Sequence, residues 1–146
     1  MTTIVATAVA AIVASLSSGT PVASQIARVR LRPLALAADQ AVVVRPMAAQ
    51  ASAEFVLNVN GPVGWTTAIA VECYARSTVA TTPDQALDPL VEAVYARLMA
   101  DPTLSGAVIS LQPQSINFDF DADGEQTACA TLVFNARHRA SGATLS

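Results

Sequence analysis

Lysine is absent from these 146 residues, histidine occurs once and cysteine twice. All eight basic side chains are arginines, set against eleven Asp and Glu, so only 13% of the chain is charged, about half the ~25% of an ordinary domain. The net charge of -3 and a pI near 4.9 work against a free-standing nucleic-acid binder, which needs a basic surface to attract phosphates. Without lysine no Gly-x-x-x-x-Gly-Lys phosphate loop can form, and no Gly-x-Gly-x-x-Gly occurs. Cys73, Cys129 and His138 are scattered and one short of the four ligands of a structural zinc site. A Ser-His-Asp triad would depend on His138, and no Gly-x-Ser-x-Gly elbow accompanies it. These gaps argue against an enzyme and against a resident cofactor or metal.

What is present is apolar. The hydrophobic fraction is 53% and the mean hydropathy +0.46, which excludes a disordered chain. The length suits one domain over residues 1–146 and a core that removes roughly 70% of the extended chain's surface from water. So few charges imply a surface buried against partners or against a membrane. No charged side chain precedes Arg28. Ile4, Val5, Ala8, Val9, Ile12, Val13 and Leu16 recur at helical spacing and predict a helix over about 3–16. Ser17 to Pro21 end it well short of the ~20 apolar residues of a membrane span. The Met-Thr-Thr start lacks the basic residue of a signal peptide. Thr3, Thr7, Ala10, Ala11, Ala14 and Ser18 make the reverse face small, so the helix is expected to have protein on both sides.

Strand signals follow. Ala27, Val29 and Leu31 alternate with Arg28, Arg30 and Arg32 up to Pro33. Ala41 to Val44 form a short β-branched run closed by Arg45-Pro46. A hairpin is expected over about 53–76: Phe55, Leu57 and Val59 on one arm, the turn Asn60-Gly61-Pro62-Val63-Gly64, then Trp65, Thr67, Ile69, Val71 and Cys73 on the other. A second helix is predicted over about 83–100. Thr82 serves as N-cap, Pro83 as first residue and Gln85 as capping-box partner, with Leu87, Leu90, Val91, Val94 and Leu98 as its buried stripe. Pro89 raises the alternative of a start at Asp88-Pro89. A second hairpin, over about 107–138, carries Ile116, Phe118 and Phe120 on one strand and Ala130, Leu132 and Phe134 on the other. The fold class is α+β (mixed α/β), a largely antiparallel sheet covered by two helices.

Three constellations stand out. Asp119-Phe120-Asp121-Ala122-Asp123-Gly124 matches the first half of a calcium loop, but the twelfth position is Ala130 where a bidentate Glu belongs; an acidic hairpin tip fits better. Arg28, Arg30 and Arg32 share a strand face, and like charges so close need an answering surface. That surface is either solvent or an acidic strip such as Asp119, Asp121 and Asp123 on a neighbouring subunit, or DNA. Cys73 and Cys129 read as buried thiols, with a disulfide as the lesser alternative. His138, between Arg137 and Arg139, reads as an exposed strand-end residue.

Residues 71–139 carry a resemblance. Val71-Glu72-Cys73-Tyr74-Ala75-Arg76, Thr82 to Asp88, Val94-Tyr95-Ala96-Arg97-Leu98, Asp101-Pro102-Thr103-Leu104 and the strand through Phe134-Asn135-Ala136-Arg137-His138-Arg139 resemble, in order and spacing, the minor tail proteins of long-tailed bacteriophages and prophages, and among these the tail terminator (tail completion) proteins. The resemblance implies a structural virion protein forming a ring, commonly a hexamer, on the end of the tail tube. Such a ring stops tube polymerisation and provides the head-joining surface. The implied partners are further copies of the chain, the tail tube protein, the head–tail connector and DNA in the lumen. The implied location is the virion, after assembly in the host bacterial cytoplasm. Another neck component shares the same size and composition, and loops at 34–40 and 46–52 would be places for contacts that order on assembly. A secreted binding domain with residues 1–18 as its signal is the reading from a different class.

Overall fold

The computed structural model describes residues 2–29, 39–52, 61–78, 80–120 and 127–146. Their order is α1 (Ile4–Ser17), β1 (Gln25–Arg28), β2 (Gln40–Ala51), β3 (Val63–Arg76), α2 (Pro83–Met99), β4 (Ser110–Asp119) and β5 (Thr127–Ala140). The strands form an open sheet in the order β1-β2-β3-β5-β4. Only β1 and β2 run parallel; the other pairs are antiparallel. The α+β class expected from the sequence is the one observed.

Both helices begin on a threonine cap, Thr82 as expected and Thr3 where the sequence placed a reverse-face residue of the helix itself. The Ala6 amide donates to Thr3 Oγ1 at 3.1 Å, satisfying one of the orphan donors of the first turn of α1. In α2 the Thr82 amide donates to Gln85 Oε1 at 3.2 Å, one arm of a capping box. The helix then runs through Pro89 without a break, so the later start at Asp88 is not used. Pro89 is exposed, and the missing N–H leaves the Gln85 carbonyl facing water rather than core. Ala8, Val9, Ile12 and Leu16 of α1 and Leu87, Leu90, Val94 and Leu98 of α2 are buried. Each such Leu, Ile or Val removed from water contributes about 1.5–3 kcal/mol.

A side-chain clamp sets one helix against the other. Arg97, in the last turn of α2, donates to the carbonyls of Ser15 (3.0 Å), Ser18 (2.8 Å) and Thr20 (2.8 Å). A guanidinium thus satisfies carbonyls at and just beyond the end of α1, where the helix dipole favours a cation. Gly19 there has φ +62, a left-handed conformation that costs glycine nothing. At the other end of α1 the Ile4 amide donates to the Leu145 carbonyl at 2.7 Å.

Pairing register assigns each strand residue to a face. Val42, Val44, Ile69, Val71, Cys73, Ala130, Leu132 and Phe134 join the helices in the main core. Ala41, Val43, Tyr74 and Cys129 form a smaller cluster on the reverse face. α1 lies over β1 and β2, and α2 over β3 and β5. Pro46, Ile69, Phe134 and Pro113 stand in one row across β2, β3, β5 and β4, and the register slips just after each proline. A bulge is where a strand tolerates a residue that cannot donate to the ladder. That tolerance corrects two expectations. The run at 41–44 does not close at Arg45-Pro46 but continues to Ala51, so residues 46–51 are strand and not loop.

The remaining differences are at the ends of elements. β1 stops at Arg28 because Val29 takes φ 48, a conformation that breaks strand geometry. Of the expected 53–76 hairpin, the second arm is β3, which pairs with β2 on one side and β5 on the other; residues 53–60 lie outside the described residues. The 107–138 hairpin is β4 with β5.

Candidate intersubunit edges

Of the six residues singled out as contacts, two are described. Arg28 ends β1, one edge of the sheet, and is exposed. Its register partner Val44 faces the helices, and its guanidinium donates to the Ala6 carbonyl of α1 at 3.4 Å. Asp119 ends β4, the opposite edge. Its partner Cys129 belongs to the reverse-face cluster. The subunit therefore holds the two residues apart, at opposite edges and on opposite faces. Arg30, Arg32, Asp121 and Asp123 lie outside the described residues. Asp119 sits in a regular strand up to its pairing with Cys129, which suits a hairpin arm better than the start of a calcium loop.

The β4 edge carries a second feature, the apolar face of Ile116, Phe118 and Phe120 expected on one arm of the second hairpin. Ile116 and Phe118 pair with Leu132 and Ala130 and so point to the helix side. Among the described residues neither helix makes substantial contact with β4. Phe118 is 57% and Phe120 51% exposed. Their rings stack, with centroids 6.1 Å apart and planes 9° from parallel. They form one wall of a cavity of about 390 Å³ whose other wall is the start of α2, with Asp84, Asp88 and Pro89. A second cavity, about 420 Å³, extends along the strand between Tyr95, Pro113 and Ile116. The first is an aromatic trough with carboxylates on its α2 wall. The Thr82 hydroxyl, helped by the Gln85 amide, holds the Asp84 carboxyl below its ordinary value, which favours its charged form.

The reverse face has a different chemistry. Glu72 accepts from Arg45 Nε at 2.7 Å and from the Tyr74 hydroxyl at 3.0 Å. The carboxylate is largely buried, while the arginine remains partly in water. Such a network orients the side chains on this face.

Two single residues also have their surroundings settled. His138 is not exposed: it is 4% accessible, and its Nε2 lies 2.7 Å from Thr67 Oγ1. Strand alternation puts it on the face of Phe134 and Ala136, a signal that the flanking arginines obscured. Burial pushes its pKa down, and its Nδ1 has no hydrogen-bond partner. Cys73 and Cys129 are free and buried. Cys73 faces the helices and Cys129 the reverse side, so a bridge would have to cross the sheet. Burial, with Cys129 as a lesser cause, pushes the Cys73 thiol up to about 12.

Among the described residues no helix is long and apolar enough to cross a membrane. No family model and no curated protein matches the chain. Solved structures do. One is a chain from the structure described as "Virion of native gene transfer agent (GTA) particle", which aligns over 90% of this chain and 93% of its own length with a TM-score of 0.51 and 14% identity. At that identity the likeness is one of fold, and it includes nearly the whole of both chains.

Proposed function

We propose that residues 1–146 act as one structural unit of a phage-like virion, a tail terminator without enzymatic activity. In this reading copies of the chain close into a ring, commonly of six, on the end of the tail tube. The ring stops tube growth and presents a surface to the head–tail connector, with DNA passing through its lumen. The observation that carries the reading is the open sheet with two unlike edges, in a fold shared with a chain of a virion. A ring of identical subunits needs two complementary, non-identical patches on each copy. A short edge ending in Arg28 and a long aromatic edge ending in Asp119 are such a pair. Exposed strand edges are also ready templates for pairing with another chain. The low charge of the sequence and the tail-protein spacing of residues 71–139 support the same reading.

The test is mass measurement and electron microscopy of the purified chain, alone and mixed with tail tube protein. Closed rings of one copy number, or tubes that stop growing once capped, are the expected result. A monomer that leaves tube growth unchanged overturns the reading.

A further inference from the structure

We infer that the trough between α2 and β4 receives the β1 edge of a second copy of this chain, with that copy's Arg28 seated against Asp84, Asp88 and the stacked rings of Phe118 and Phe120. The inference rests on the ring reading above and names its contact.

Three observations select this occupant. The first is the face. If β1 of one copy continues the sheet beyond β4 of another, helix side meets helix side. Arg28 lies on the helix side of β1, and so do Phe118 and the start of α2 beside β4. Asp119 points to the reverse side and is the wrong partner. The second is direction. β1 runs with β2, which opposes β3, which opposes β5, which opposes β4. A continued sheet therefore brings β1 antiparallel to β4, the easier pairing for two edges. The third is chemistry. A planar guanidinium stacks on aromatic faces and donates a fork of hydrogen bonds to carboxylates, and the trough offers two nearly parallel, stacked rings beside two acids. Among the described residues Arg28 makes a 3.4 Å contact with the Ala6 carbonyl, a weak bond that is readily given up. The exposed rings of Phe118 and Phe120 then have a reason to stand open on a chain with so little charge.

The test uses the full chain in two charge variants, Arg28→Asp and the double Asp84→Arg/Asp88→Arg, with Asp84→Asn/Asp88→Asn as a milder form should the reversal disturb the start of α2. Mass photometry and analytical ultracentrifugation read assembly; circular dichroism melts confirm folding. Each variant alone is expected to lose self-association by tenfold or more, because every contact would then set like charges together. Mixed in equal amounts, the two reversal variants are expected to regain rings of even number, since every contact in an alternating ring is again between opposite charges. Wild-type rings with both variants unaffected, or a mixture that stays apart, overturn this contact and leave the ring reading standing. A wild type that never self-associates, alone or on tubes, overturns both. A variant that assembles but no longer caps tubes overturns the second-copy occupant and points to a basic segment of the tube protein.

Discussion

Phe134 of β5 and Phe118 of β4 belong to neighbouring strands, point to the same side of one sheet and sit in equally alternating runs, yet Phe134 is 1% exposed and Phe118 57%. The strands differ little in sequence pattern: Ala130-Leu132-Phe134 and Ile116-Phe118-Phe120 each read as the apolar face of a strand. What separates them is the line of α2, which lies over β3 and β5 and, among the described residues, leaves β4 exposed beyond Leu111. Apolar alternation marks a strand face that will be buried. It does not say whether the cover is the same chain or another.

The contrast can be broken most sharply at Phe134. Phe134→Ala removes a fully buried ring and is expected to destabilise the fold by about 3–5 kcal/mol, read as a lower midpoint in urea or heat. A next test moves the cover itself. Arg97→Ala removes three charged hydrogen bonds to carbonyls around the end of α1. Because the guanidinium is partly in water, the expected loss is about 1–2 kcal/mol, and Arg97→Lys should recover only part of it, since an ammonium lacks the planar fork. Equal stability of all three chains would show that the clamp does not hold the helices together.

A smaller effect lies further along β5. Burial holds His138 below its ordinary pKa, so the unfolded chain binds the proton more tightly than the folded one. The stability linked to neutral His138 is therefore present above the ordinary imidazole value of about 6.5 and is lost as pH falls through and below it. Melts between pH 7.5 and 5.5 should show the decline, and His138→Gln should flatten it. The window stays above that of Asp84 and Asp101, whose carboxyls are held low by hydroxyl and amide donors and matter only in stronger acid. The smallest expected change in folding is at the open strand: Phe118→Ser with Phe120→Ser should move the stability of the isolated subunit by no more than about 0.5 kcal/mol, as surface substitutions do. A loss as large as that of Phe134→Ala would make β4 core after all.

Much of this architecture is legible in the chain. Thr82 announces a helix start, the 3.6-residue stripes locate the buried faces of α1 and α2, and period-two alternation finds β3, β4 and β5. Proline misleads in two places. Pro46 reads as a strand end and Pro89 as a helix start, because a local signal cannot tell that a bulge or a solvent-facing carbonyl will accommodate the missing N–H. His138 is lost between two arginines whose side chains point the other way. The trough is illegible for a different reason: Asp84 and Asp88 lie thirty residues and more before Phe118 and Phe120, and only the packing of α2 across the sheet brings them together. Arg28 and Asp119 were legible as charged, but which face each occupies depends on pairing register, and register belongs to the tertiary fold.

The hydrogen bond between the Ile4 amide and the Leu145 carbonyl makes the subunit nearly circular in its connectivity. A short flexible bridge could join those two points, and the chain could be reopened at the exposed turn of Ser105 and Gly106 with every strand pairing and both helices retained. New ends placed there would lie in the connection between α2 and β4 and leave the Arg28 edge untouched. The permuted subunit would therefore offer a way to attach a bulky label beside one contact surface at a time, and so to learn from which side neighbouring copies approach.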